Sequence, residues 1–258
     1  MMAEPLLEAR GVIKHYGHVM ALDGANFSAF PGEVVALIGD NGAGKSTLVK
    51  TLSGTIRPDG GQILIEGSAV RLASPLEARR YGIETVYQDL ALAPDLDAAA
   101  NLHLGREIYR IPFLRVLNRA AMRQRATAAF AELGIQLPDV RAPVATLSGG
   151  QRQCVAVARA VAYASKVIFM DEPTAALGVA ARERVLDTIR RVRDRGISVI
   201  LISHNMPEVL AVADRIEVLR MGRRVARFTA SQASVGELVG AMTGALTTED
   251  SPEPGSNG

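Results

Sequence analysis

The chain has 258 residues, 29 basic and 27 acidic side chains, a net charge of +2 and one cysteine. A chain of this length buries roughly 70–75% of its unfolded surface, so a core needs no disulfide or metal. Cys154 stands alone and cannot form an internal bridge, which fits a reducing compartment. The near balance of charge argues against a nucleic-acid-binding domain. The longest apolar runs, such as residues 34–38 and 167–170, fall far short of the ~18 residues that cross a bilayer. Residues 1–17, broken by Glu4, Glu8, Arg10 and Lys14, lack the apolar stretch of ~7–15 residues that a secretion signal needs.

Along the chain, short apolar runs alternate with stretches of helical character, which predicts a parallel sheet covered by helices. Residues 34–38 lead into Gly39, residues 82–87 into Gln88, residues 167–170 into Asp171 and Glu172, and residues 197–202 into Ser203 and His204. Ligands of open α/β sheets bind beyond the carboxyl ends of the strands, so these four ends are expected to line one site. Between Gln88 and Leu147 the strand pattern is lost. Residues 98–104 and 119–133 there read as amphipathic helices of an inserted helical subdomain, residues 89–165. Within it Arg106, Arg110, Arg115, Arg119, Arg123 and Arg125 form a basic stretch. A solvated helix face is the plainer reading, and contact with lipid headgroups or acidic partners the alternative. Residues 4–246 are read as one folded domain, and the polar tail 247–258, with two prolines and two glycines, is expected to be disordered. No internal repeat is present.

Gly39, Asp40, Asn41, Gly42, Ala43, Gly44, Lys45 and Ser46 match G-x-x-x-x-G-K-[ST] directly after an apolar run. Glycines let the backbone curl so that its N–H groups converge on phosphate oxygens, and the helix that follows aims its positive end at the same anion. Lys45 would neutralise β- and γ-phosphate charge, the Ser46 hydroxyl would hold Mg²⁺, and Thr47 would add a phosphate contact. Among only four lysines in the chain, Lys45 is the one in this setting.

Residues 167–170 carry no charge, as suits a strand buried on both faces, yet Asp171 and Glu172 follow at once. Two acids there need a cation. Asp171 is assigned to Mg²⁺ and Glu172 to general-base activation of water. His204 would donate to a γ-phosphate oxygen or orient the water, and the Gln88 amide would bridge metal and water.

Leu147, Ser148, Gly149, Gly150 and Gln151 open a further helix-like segment and make a second anion site. Taken with the glycine loop, the Asp171–Glu172 pair and His204, this LSGGQ run closely resembles the ATPase domain of ABC proteins over about residues 4–230. The resemblance implies a P-loop NTPase parallel-sheet core, an antiparallel β portion near the N-terminus and a helical subdomain. It implies a homodimer when ATP is bound, in which Ser148, Gly149, Gly150 and Gln151 of one subunit close on ATP held by the loop of the other. It also implies that Tyr16 stacks on adenine, that ATP and Mg²⁺ are the cofactors, and that the chain powers membrane permease subunits from the cytoplasmic face of the cell membrane.

The stretch after the acid pair departs from the family pattern. Where many members have Ser-Ala-Leu-Asp, this chain has Ala175, Ala176, Leu177 and Gly178, and the missing Asp puts the usual cross-dimer link in question. Residues 87–92, 172–179 and 203–209 resemble ribose-, xylose- and fructose-type sugar importers, of which the single-domain members fit this length. A substrate-binding protein and permease would then carry the sugar selectivity, with no direct sugar binding by this chain.

The competing readings lack their marks. A GTPase would need Asn or Thr before a Lys and Asp two residues after it, which none of the four lysines has. DNA-repair ABC ATPases have a long coiled coil between loop and LSGGQ, and no sustained heptads occur here. Ribosome-acting members usually have tandem ATPase domains. No nucleic acid is expected as a partner, and an exporter motor remains the alternative to an importer motor.

Overall fold

The computed structural model describes residues 4–246, and the tail 247–258 lies outside them. The element order is β1 (Leu7–Tyr16), β2 (Val19–Ala29), β3 (Val34–Ile38), α1 (Lys45–Leu52), β4 (Gly60–Ile65), β5 (Ser68–Val70), α2 (Pro75–Arg80) and β6 (Ile83–Val86). Then come α3 (Ala98–Leu102), β7 (Tyr109–Ile111), β8 (Val116–Leu117), α4 (Arg119–Glu132), α5 (Gly149–Val161), β9 (Val167–Asp171) and α6 (Val179–Asp194). The chain closes with β10 (Ser198–Ile202), α7 (Met206–Val212), β11 (Arg215–Arg220), β12 (Arg223–Thr229) and α8 (Val235–Thr243).

The central sheet has the order β12-β11-β3-β10-β9-β6, and only the β11/β12 pair is antiparallel. All five residues of β3 and of β10 are buried. A strand covered on both faces has no reason to alternate, which is why these read as unbroken apolar runs. A second sheet, β2-β1-β4-β5, is antiparallel throughout and forms the N-terminal β portion. Arg215 ties the two together. Its guanidinium donates to the Ser28 carbonyl at the end of β2 and to Glu33 just before β3, both at 2.6 Å, and it also pairs with buried Glu217.

Three apolar clusters fill the layers. The first joins β9, β10, α5 and α6 to the helices of the insertion, with Phe130, Leu133, Val155, Ile168 and Ile189 fully or nearly buried. The second fills the space between the central sheet and the antiparallel sheet around Phe27, Leu48 and Phe169. The third packs α7 and α8 against β11.

Several features differ from the sequence reading, most of them in the insertion. The strand pattern does not vanish there: β7 and β8 form a small antiparallel hairpin. Runs of three and two residues are too short to carry a period-2 signal. The arginines also do not share one face. Arg106 turns inward, donating to buried Glu84 at 2.8 Å and lying 4.0 Å over the Tyr163 ring, while Arg123 approaches Asp97 at 3.8 Å. Arg110, Arg115 and Arg119 are exposed. The first expected helix stops at Leu102 rather than at residue 104, and Asp171 is the last residue of β9 rather than the first beyond it.

Candidate active site

Strand register brings the predicted residues to one edge. Ile202 of β10 pairs with Leu37 of β3 on one side and Asp171 of β9 on the other, and Val86 of β6 pairs with Met170. Gly39, Glu172, His204 and Gln88 therefore all lie one or two residues beyond the same row, across four adjacent strands. This is the carboxyl edge at which α/β sheets bind ligands.

The loop after β3 is glycine for steric reasons. Gly39 has φ 151, and a Cβ placed on it would stand 2.2 Å from the Leu219 carbonyl oxygen of β11. Gly44, with φ 102, is the N-cap of α1, and a Cβ there would meet the Ala21 carbonyl oxygen of β2 at 2.6 Å. The loop is thus wedged between β11 and the N-terminal hairpin. The Gly222 N–H holds it further by donating to the Ala43 carbonyl at 2.9 Å. Asp40, Asn41, Gly42 and Ser46 are exposed, while Gly44, Lys45 and Thr47 are half-buried. The Lys45 ammonium donates to the carbonyls of Gly39 and Asp40 at 2.6 and 3.0 Å, so it lies across the mouth of its own loop.

Lys45 and the two acids share one field. Burial lowers the Lys45 pKa, against the attraction of Glu172, Asp40 and Asp171, which raises it. Burial raises the Asp171 carboxyl pKa, against Lys45 and Lys50. Each group has lost water, and the opposite charge of the other partly replaces it.

Glu172 has φ 48, an unfavourable backbone for a side chain with a Cβ. It is fixed from two sides, since its N–H donates to the Ile202 carbonyl at 2.9 Å and its Oε1 lies 2.7 Å from His204 Nδ1. The Glu172 side chain is 17% exposed and that of His204 76% exposed, so the carboxylate is sheltered and the imidazole reaches outward. Sequence reading placed these two at neighbouring strand ends but not in direct contact.

Gln88 is exposed, and the turn beyond it contains Leu90 and Ala91 at φ 58 and 45. Arg159, in the last turn of α5, donates to both of their carbonyls at 2.7 and 2.6 Å. Neither Arg159 nor this clamp was anticipated, because an arginine on a helix carries no signal of which distant carbonyl it meets.

Ser148 caps α5 in a capping box with Gln151, the Gln151 side chain accepting from the Ser148 N–H at 2.9 Å. Gly150 is small because Ala181 of α6 would lie 2.7 Å from a Cβ there, and the space beside Gly149 belongs to Leu177. The nearest neighbours of the two glycines are thus Leu177 and, in α6, Ala181. Tyr16 ends β1, is 48% exposed and lies 5.9 Å from Lys14 Nζ. Its hairpin passes the loop at Ala21.

A family model described as ABC transporter matches residues 22–175. The chain belongs to the ABC transporter family. This cassette is 53% identical to the "Fructose import ATP-binding protein FrcA" of Rhizobium meliloti, over 95% of this chain and 96% of that protein. It is 46% identical to the "Ribose import ATP-binding protein RbsA 1" of Rubrobacter xylanophilus, over 97% of this chain but 50% of that protein. Among solved structures, a dimeric ATP-binding cassette in a post-hydrolysis state, bound to ADP and Pi, matches with a TM-score of 0.73 and 25% identity. That match covers 88% of this chain and 100% of the other. The cassette is an ATPase with the mixed parallel and antiparallel architecture of its family.

Proposed function

We propose that the cassette hydrolyses ATP to power import of a monosaccharide of the fructose, ribose or xylose class through membrane permease subunits. The observation that carries the chemistry is the single row holding the Lys45 loop, Asp171 and the hydrogen-bonded Glu172–His204 pair. The near full-length match to a fructose importer's ATP-binding protein supports the transport reading. No helix among the described residues is long and apolar enough to cross a membrane, so in this reading the cassette works peripherally, on the cytoplasmic face, beneath permease subunits that a substrate-binding protein supplies.

In this reading the loop N–H groups and Lys45 take the phosphates, and Lys45 exchanges its two loop carbonyls for phosphate oxygens. The exchange is favourable because a charged acceptor makes the stronger hydrogen bond. Glu172 accepts the proton of the attacking water. His204, held through Nδ1, keeps its other ring nitrogen for a γ-phosphate oxygen. The oxygen donors Ser46 and Asp171, with the Gln88 amide, suit Mg²⁺, which takes one or two protein oxygens beside substrate phosphates. When bound, that ion would neutralise charge on the β- and γ-oxygens. Tyr16 supplies a face for adenine. A second cassette supplies Ser148, Gly149, Gly150 and Gln151, a capped helix end whose glycines pack on Leu177 and Ala181 within their own chain. Residues 87–105 are the surface offered to the permease.

Replacing Glu172 by Gln tests the assignment. The variant should bind ATP as tightly as wild type and turn over ~10²–10⁴-fold more slowly, the usual effect of losing a general base. Wild-type turnover would refute it. Reconstitution with the permease and binding protein tests the transport reading: a monosaccharide should stimulate hydrolysis, and stimulation by DNA or ribosomes instead would overturn it.

A further inference from the structure

Behind the Glu172–His204 pair lies a buried carboxylate that none of these roles uses. Glu208, on the first turn of α7, is 6% exposed. A buried carboxylate is costly unless several donors meet it, and here three segments supply them. Its Oε2 accepts a short hydrogen bond from the Thr174 hydroxyl. Its Oε1 accepts from Asn205 Nδ2 at 2.7 Å and pairs with Arg182 Nε at 2.7 Å. Asn205 in turn caps α7, its Oδ1 accepting from the Glu208 N–H at 3.4 Å.

The placement of these donors matters more than their number. Thr174 is two residues after Glu172, Asn205 is the residue after His204, and Arg182 reaches back to the Leu177 carbonyl at 3.4 Å. Glu208 therefore joins the two segments that carry the pair and the segment 175–178 that follows them. Glu172 has positive φ, which costs a non-glycine residue ~1–3 kcal/mol and persists only when the surroundings over-determine it. From the Glu172 side that restraint includes the Ala175 N–H donating to the Glu172 carbonyl at 3.1 Å, in the same turn that Thr174 anchors to Glu208.

We propose that Glu208 is a positioning residue for hydrolysis: one buried carboxylate that holds the Glu172 turn and the His204 turn at the spacing their hydrogen bond requires. Buried behind the pair, it acts through them, so the inference rests on the role given above to Glu172 and His204. A displacement of about 1 Å in a catalytic group can cost as much as 10²-fold in rate. The loss should appear in kcat and leave ATP binding alone, because the groups that wedge the phosphate loop, the Leu219 and Ala21 carbonyls and the Gly222 N–H, are distinct from the Thr174, Asn205 and Arg182 partners of the Glu208 carboxylate.

The test is steady-state hydrolysis and equilibrium ATP binding with the full chain and Mg²⁺. Glu208→Ala should lower kcat by about tenfold or more with KM within about twofold, and Glu208→Gln, which keeps one acceptor and offers a donor to Thr174, should recover to within about threefold of wild type. In a His204→Ala background the same Glu208→Ala change should cost less than about twofold, since residues acting as a unit are not additive. Wild-type turnover of Glu208→Ala beside a slow His204→Ala enzyme overturns this inference alone, as does a full loss that persists in the His204→Ala background. Wild-type turnover of His204→Ala sinks the role of the pair, and the inference with it. Should Glu208→Ala fail to fold, Thr174→Val decides: a lower kcat at constant KM supports the role, and unchanged kcat overturns it.

Discussion

Gly178→Asp restores the acid missing from the family pattern, and the structure sets its effect on stability. Gly178 is the N-cap of the 16-residue helix α6, with φ −69 and ψ 160 and no side-chain cap. Those angles suit any residue, and a Cβ there meets nothing within 4 Å. The first turn contains no acidic residue. An Asp would therefore enter without strain, accept from a first-turn N–H and face the positive end of the helix. Relative to Gly the cap is worth a few tenths of a kcal/mol, and the charge adds about 0.3–1 kcal/mol at low salt. Together these give about 0.5–1 kcal/mol, or a Tm rise of about 1–4 °C at this chain length. Thermal unfolding followed by circular dichroism measures it, with Gly178→Asn as a neutral cap. The Asp variant should exceed the Asn variant at low salt and fall to meet it near 1 M salt, where screening acts within about 3 Å. A Tm unchanged or lowered in both variants would refute the argument.

Two further outcomes follow from geometry. Gly39→Ala should lower Tm by more than about 4 °C and weaken ATP binding. It combines strain of ~1–3 kcal/mol at positive φ with overpacking of ~1–3 kcal/mol against the Leu219 carbonyl; a wild-type Tm would show that the loop is not wedged there. The second concerns His103, which is buried, its Nδ1 2.9 Å from the Tyr163 hydroxyl and its Nε2 3.2 Å from the Met122 carbonyl. Burial pushes its pKa below the ordinary 6.5, so the unfolded chain takes up a proton first as pH falls. Stability should be fully present above pH 6.5 and be lost as pH falls from there through the lowered folded pKa. His103→Gln should flatten that part of a Tm profile between pH 7.5 and 5, and an identical slope in the variant would exclude His103 as its source.

How legible the site was in the sequence depended on what each residue needed from its neighbours. The loop and the acid pair carry their signal locally, because a glycine run before a lysine, or two adjacent acids closing an apolar strand, has little other use. The four strand ends were legible because strands buried on both faces lose their alternation. Contacts across the fold were not. Glu208 lies three residues after the N-cap Asn205, where an acid reads as an ordinary first-turn residue, and nothing local says that Thr174 and Arg182 will meet it. The basic stretch misled for the converse reason: spacing along the chain cannot say that Arg106 points to Glu84 while Arg115 faces water.

The turn beyond Gln88 borrows its rigidity. Its two unfavourable residues hang from Arg159, which stands ten residues, or ~15 Å along the axis, from the Gly149 end of α5. A stiff rod of that length, tipped by about 4° at its glycine end, swings the guanidinium end by about 1 Å, a third of the span of a hydrogen bond. Any tilt of α5 imposed at Gly149 is thus felt as a sideways pull beside Gln88, with lever and load on the same molecule.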